Sequence, residues 1–193
     1  MIHELTIGGF ARWLPLELTP TDEAAYARRL AEAYATDPHA AEVAPAVASM
    51  AGRLAGTREG RLSDSDPFLM SAWLLLADAT TLSPVAHATL QSMPLPAGQE
   101  VLDVVRDLLS GHEVHGAPTW QELTTSSGAA TLVHHRLRVW RQGEWVVHER
   151  AAVLWTRPEE GLLLVLDGYT EVPRSCHDLA PAVAQLAASA EGL

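Results

Sequence analysis

The nine histidines are the first residues to examine for chemistry, because imidazole binds metal ions and exchanges protons near neutral pH. A helical zinc motif needs two histidines four residues apart on one helix face. His112 and His115 are three residues apart and lie in a predicted loop after a helix, so their spacing does not fit. Exposed loop histidines near a helix C-terminus, where a cation is favoured, are the simpler interpretation.

Histidines in the predicted strands give a second candidate metal site. His134 and His135 are neighbours in one strand, so their side chains point to opposite faces and cannot share an ion. His87, His135 and His148 meet only if their strands bring them to one face of the sheet. We therefore predict no metal site and no cofactor.

Cys176, His177 and Asp178 contain the side-chain types of a nucleophilic triad. Consecutive residues at the start of a helix diverge, however, so they cannot form a hydrogen-bonded relay. Ser175 and Asp178 instead match a capping box for the last helix. A position near a helix N-terminus can lower a thiol pKa, but we favour a structural role for Cys176. As the single cysteine it permits no internal disulfide, which suits a reducing cytoplasm.

The dipeptide Gln142-Gly143 separates two β-branched, apolar runs and supplies the positive φ angles of a tight hairpin turn. A two-residue turn determines which residues of the two strands face each other. The expected opposed pairs are Arg141 with Glu144, Trp140 with Trp145, Val139 with Val146, Arg136 with Glu149, and Val133 with Ala152. Opposed aromatic and opposite-charge pairs each contribute roughly 0.2–1 kcal/mol, so the residue types of the two strands favour this register.

Two carboxylates, Glu149 and Asp167, lie within the predicted sheet and are candidates for acid–base work. Glu149 faces Arg136 in the expected register, and a structural ion pair is the expected role of both. We therefore predict no catalytic residue.

One face of the hairpin carries Arg136, Arg138, Trp140 and Trp145. Tryptophan and arginine are enriched at the residues that dominate protein–protein binding energy, so this face is our candidate partner-binding surface. The alternative is an amphipathic face covered by a helix, with the arginine stems lying on apolar surface.

Apolar periodicity along the chain predicts an α+β fold, with a mostly antiparallel sheet of about six strands flanked by helices. We expect one domain over residues 1–193, in which residues 1–56 form an N-terminal strand and a helical pair. Residues 67–193 then form the sheet and two helices. Thr19 is the expected N-cap of the first helix, the second begins near Asp37 and ends at Gly56, and an amphipathic helix covers Gly98 to Ser110.

The order of elements from Pro67 to Leu193 resembles the PsbP-like fold, an antiparallel sheet between helices that several small accessory proteins share. The likeness rests on the order of elements and on no motif, so it assigns no functional residue. The N-terminal helical pair departs from the family pattern. The resemblance implies a binding or assembly role.

The formal net charge of −11 disfavours binding to nucleic acid or to an anionic membrane, because the summed field repels phosphates. All 13 basic residues are arginine, a bias that we attribute to the codon usage of a GC-rich bacterial genome. No stretch approaches the ~20 apolar residues that span a bilayer. We expect a soluble, cytoplasmic protein.

These patterns favour a non-catalytic protein-binding or assembly module of adaptor, chaperone or immunity type, whose partner is another protein or a second copy. The alternative is a small-molecule-binding protein or enzyme with a pocket between the sheet and the N-terminal helices. That pocket would be lined by Trp73, Trp120, Trp155 and neighbouring histidines. A ligand-sized cavity with converging polar groups would favour this alternative.

Overall fold

The structure, a computed structural model, describes residues 6–7, 12–19, 22–59, 67–95, 98, 103–105 and 113–193. The strands are β1 (Thr6–Ile7), β2 (Trp13–Pro15), β3 (Phe68–Leu76), β4 (Pro84–Pro94), β5 (Glu113–Val114), β6 (Thr119–Thr125), β7 (Gly128–Arg141), β8 (Glu144–Arg157), β9 (Leu162–Thr170) and β10 (Ala190–Glu191). The helices are α1 (Glu23–Ala33), α2 (Ala40–Glu59) and α3 (Leu179–Ala188), with a 3-10 turn at Pro158–Glu160.

The main sheet is antiparallel and has the order β2-β3-β4-β9-β8-β7-β5, with β6 pairing β7 beside β5. The α+β class and the antiparallel pairing are confirmed, and β9 lies at the centre of the sheet, between β4 and β8. The expected count of about six strands was wrong, because the sheet has eight. The N-terminal strand expected within residues 1–56 is β2, which joins the sheet at its edge, whereas β5 was not expected because two residues carry no readable periodicity.

The β7–β8 hairpin has the register that the turn dipeptide predicted. Gln142 and Gly143 adopt φ angles of 52° and 88°, as a tight two-residue turn requires. All five predicted opposed pairs occur, from Arg141 with Glu144 to Val133 with Ala152. The local turn therefore determines the alignment of two 14-residue strands.

One face of the sheet, which we call the α3 face, is covered by α3. Val183 and Leu186 of this helix pack with Val153 and Trp155 of β8 in one buried apolar cluster. Gly168 of β9 lies directly beneath the helix, where an added Cβ would come within 2.3 Å of Val183 Cγ2. The absence of a side chain at Gly168 lets helix and sheet approach closely.

The opposite face carries two separate apolar clusters. In the first, α1 and α2 pack over β3, with Tyr26, Val47 and Leu74 among its buried members. In the second, Val104 and Val105 pack on residues of β7, β8 and β9 on this same face. The polar residues of β4, β8 and β9 on this face, among them His87 and Arg150, lie between these two clusters.

The ends of the helices differ from the sequence-based expectations. Asp22, not Thr19, caps α1 by accepting a hydrogen bond from the backbone N–H of Ala25 at 3.0 Å. Helix α2 begins at Ala40 and continues through Gly56, because glycine in an exposed helix costs only about 1 kcal/mol. The helical pair exists, therefore, with different boundaries.

The capping box expected at α3 does not form. Asp178 occupies the N-cap position but makes no side-chain cap hydrogen bond, and its carboxylate accepts instead from Arg12 at 2.6 Å. The expected helix over Gly98 to Ser110 lies mostly outside the described residues. Among the described helices, none is long and apolar enough to cross a membrane.

Candidate functional site

The β7–β8 hairpin extends beyond the rest of the sheet. On one side the pairing of β8 with β9 stops at Glu149, and on the other β5 pairs with β7 only at Arg138 and Leu137. Residues 144–148 therefore project roughly 17 Å past the last pair with β9, at ~3.4 Å per residue. We call residues 138–147 the aromatic arm.

The two tryptophans of the aromatic arm contact each other and are both open to solvent. Trp140 is 59% exposed and Trp145 is 49% exposed. Their ring centroids are 5.2 Å apart in an edge-to-face arrangement. Such a pair contributes about 0.5–1.5 kcal/mol beyond area burial, so the rings form one preformed apolar surface.

The arginines of the candidate surface are each anchored by a carboxylate. The Arg138 guanidinium lies 4.7 Å from the Trp145 ring centroid and donates to Glu113 Oε1 at 2.9 Å. Arg136 Nε donates to the buried Glu149 at 3.3 Å, which confirms the predicted ion pair. These contacts orient the cations while most of their N–H donors stay available, since each guanidinium carries five.

No described helix covers Trp140 and Trp145. Helix α3 packs over the base of the same hairpin, at Ala151 and Val153, and the exposures of the two rings show that the cover ends before the aromatic arm. Arg141, at the turn, pairs with Glu171, which follows β9. The four residues predicted from sequence, Arg136, Arg138, Trp140 and Trp145, thus lie together on one solvent-facing side of the hairpin.

A second cluster, on the opposite face, was not identified from the sequence. His87, Tyr169 and Arg150 lie side by side across β4, β9 and β8. The Tyr169 hydroxyl hydrogen-bonds with His148 Nδ1, and the Tyr169 ring lies 5.5 Å from the His87 ring, centroid to centroid. We call this row, with His148, the polar strip.

Arg150 and Asp167 form a bidentate ion pair next to Tyr169, with N–O distances of 2.7 and 2.9 Å. This pair confirms the structural role expected of Asp167. Burial lowers the pKa of His87, although Asp167 and Glu171 act in the opposite direction, so the neutral imidazole is favoured. Burial likewise raises the pKa of Tyr169.

Alternation along the strands was the only sequence signal for the polar strip. It places His87, His135 and His148 on one face, as the metal hypothesis required, but the described part of the chain contains no group of three ligand side chains that could hold an ion. His134 faces the other way and binds Glu149 at 2.9 Å.

The remaining candidates from the sequence are not brought together. Cys176 is fully buried, and burial raises its pKa to about 11, so it is not an activated thiol. His115 is exposed, and His112 lies outside the described residues. In the described part of the chain, the three tryptophans of the alternative hypothesis do not line one pocket, because Trp73 and Trp155 are buried on the α3 face while Trp120 is 45% exposed on β6.

Comparison with known proteins adds no assignment. No protein-family model matches the chain, and no curated protein matches it significantly. The aromatic arm and the polar strip are therefore the two features from which a function can be proposed.

Proposed function

We propose that this chain is a non-catalytic protein-binding and assembly module, and that its aromatic arm docks onto a second copy of the chain. The observation that carries the proposal is the pair of adjacent, solvent-exposed rings of Trp140 and Trp145 at the end of a projecting ribbon. Rigid, amphipathic tryptophans with a neighbouring arginine are typical of the residues that dominate binding energy.

The charges around the aromatic arm favour a second copy as the occupant. Three arginines and four glutamates lie in or beside it, so it is nearly balanced, whereas the whole chain carries −11. Two acidic copies therefore approach with least repulsion at their arms. A twofold axis brings the same surface of both copies together, so the two nearly balanced arms would meet each other.

The backbone of the aromatic arm supports the same occupant. Beyond Glu149 the edge of β8 has no strand partner among the described residues. An unpaired strand edge is a template for pairing with another chain, and a second copy offers the same unpaired edge. Association of two such ribbons would extend the backbone hydrogen bonding from one chain to the other and would also cover the tryptophans.

The order of elements resembles that of PsbP-like proteins, and this resemblance supports a role in binding or assembly. The free thiol of Cys176 is buried, which is compatible with the cytoplasm that we propose as its location.

Sedimentation velocity over a concentration series tests the proposal on the full chain. We expect a concentration-dependent dimer whose dissociation constant rises at least about 30-fold for Trp140→Ala, as for a binding residue worth ~2 kcal/mol. Trp120→Ala is the matched control, because Trp120 has similar exposure outside the aromatic arm.

Salt gives an independent readout of the same interface. Because the net charge opposes association of two copies, added salt should strengthen the dimer by screening that repulsion. A wild-type monomer at every concentration, or a dimer that survives Trp140→Ala combined with Trp145→Ala, would contradict the proposal.

A further inference from the structure

A cleft of about 210 Å³ opens between α2 and the sheet, beside the polar strip. Its walls are mostly apolar and come from elements far apart in the sequence. They include Met50 of α2, Leu74 of β3, and Val85 and His87 of β4, with Tyr169 and Glu171 at the end of β9. The cleft lies at the edge of the apolar cluster formed by α1, α2 and β3, to which Leu74 belongs and against which Met50 packs.

His87 is the polar group that is available inside the cleft. Its side chain is only partly exposed and makes no hydrogen bond to a described residue, although its ring contacts Tyr169. The Tyr169 hydroxyl is already bonded to His148, so Tyr169 presents its ring to the cleft. Glu171 is likewise paired, with Arg141.

We propose that this cleft binds a neutral, single-ring aromatic alcohol, whose ring packs between Met50 and the rings of His87 and Tyr169 and whose hydroxyl hydrogen-bonds with His87. A neutral imidazole has one donor and one acceptor nitrogen, and a hydroxyl group complements either. Two aromatic side chains favour an aromatic occupant through offset or edge-to-face contact.

Size and charge narrow the ligand further. An engineered apolar cavity of about 150 Å³ holds one benzene, so this cleft has room for one substituted ring. Glu171 on the rim and the net charge of −11 act against a carboxylate of the same shape. Phenol is therefore the probe of choice, with toluene as the isosteric control and benzoate as the anionic control.

Titrations followed by two-dimensional NMR of the full chain test this binding site. Phenol should give saturable shifts at Met50, Val85 and His87, and benzoate should bind at least about tenfold more weakly. His87→Phe keeps a ring and removes the hydrogen bond, which is worth ~1 kcal/mol or more. It should weaken phenol about five- to tenfold and leave toluene unchanged.

Met50→Trp fills the cleft and is the second variant. It should abolish the binding of both phenol and toluene while the fold, checked by circular dichroism, is retained. Absence of saturable phenol shifts at the cleft would overturn the proposal, as would benzoate binding equal to that of phenol. An unchanged phenol affinity in His87→Phe would overturn the role of His87. None of these variants touches the aromatic arm, so the assembly proposal is tested separately.

Discussion

The base and the tip of the β7–β8 hairpin use the same residue type in opposite ways. At the base, Trp155 is 0% exposed and its indole N–H donates to Thr125 Oγ1 at 3.0 Å. At the tip, Trp140 and Trp145 are about half exposed and contact mainly each other. The strands are continuous between the two regions, so the difference arises from what lies over them.

Packing of other elements over the hairpin determines which tryptophan stabilises the fold and which is available to a partner. The base is paired with β9 and lies under α3, whereas the aromatic arm continues after both have ended. We therefore expect substitutions at the base to lower the free energy of unfolding. Those in the aromatic arm should chiefly change association.

The largest effect is expected from Trp155→Ala. Removing this buried ring leaves a cavity and takes one hydrogen bond from the Thr125 hydroxyl, which still donates to the Gly128 carbonyl. The free energy of unfolding should fall by about 3–5 kcal/mol. Urea denaturation measures the change, and Trp145→Ala serves as the exposed counterpart. Equal losses of unfolding free energy in the two variants would contradict the distinction between a buried base and an exposed tip.

Gly168→Ala should have the next largest effect, because the new Cβ overlaps Val183 and pushes α3 away from the sheet. Overpacking of this kind costs ~1–3 kcal/mol. Gly56→Ala is the matched control, since its Cβ meets nothing within 4 Å and alanine favours a helix by about 1 kcal/mol. A thermal melt in which Gly168→Ala is as stable as wild type would contradict the close packing of α3.

The pH dependence of stability reports on Cys176, which lies in the apolar cluster beneath α3. Burial raises its pKa from 9.0 to about 11, so the contribution is present below the unfolded value and is lost as the pH rises toward the folded one. Partial screening leaves a loss of ~1 kcal/mol by about pH 10. Urea melts from neutral to alkaline pH should show a steeper fall in stability for wild type than for Cys176→Ala, in which the raised pKa values of Tyr26, Tyr34 and Tyr169 still contribute.

The smallest change in stability is expected at the tip. At dilutions where the chain is monomeric, a double-mutant cycle of Trp140→Ala and Trp145→Ala should give a coupling energy of about 0.5–1.5 kcal/mol. A coupling of several kcal/mol would mean that the aromatic arm belongs to the folding core. Its tryptophans would then not be a free surface.

Local chemistry predicted the tip better than the ends of the helices. Gln142 and Gly143 determined a register over many residues, because a two-residue turn leaves no alternative alignment. The cap of α1 was misplaced from Asp22 to Thr19, since both residue types are common helix caps. The capping box failed because α3 begins after Asp178, which is itself the N-cap and whose carboxylate binds Arg12, distant in sequence.

A pocket between the sheet and the N-terminal helices was the alternative considered from the sequence, but its lining by Met50, His87 and Tyr169 could not be predicted. Met50, His87 and Tyr169 are brought together only by the packing of α2 against the sheet and by the β4–β9 pairing. Neither is encoded in a short stretch of sequence. The surface of Arg138, Trp140 and Trp145 was accessible to sequence reasoning because one hairpin contains all three residues.

Hydrogen exchange of the unmodified chain at two protein concentrations tests most directly whether the tip is an association surface and the base is core. Mass spectrometry of proteolytic peptides follows the two regions separately. We predict that amides of residues 138–147 exchange more slowly at the higher concentration, while those of residues 150–157 exchange slowly and equally at both. Rates in the aromatic arm that do not change with concentration would contradict the account.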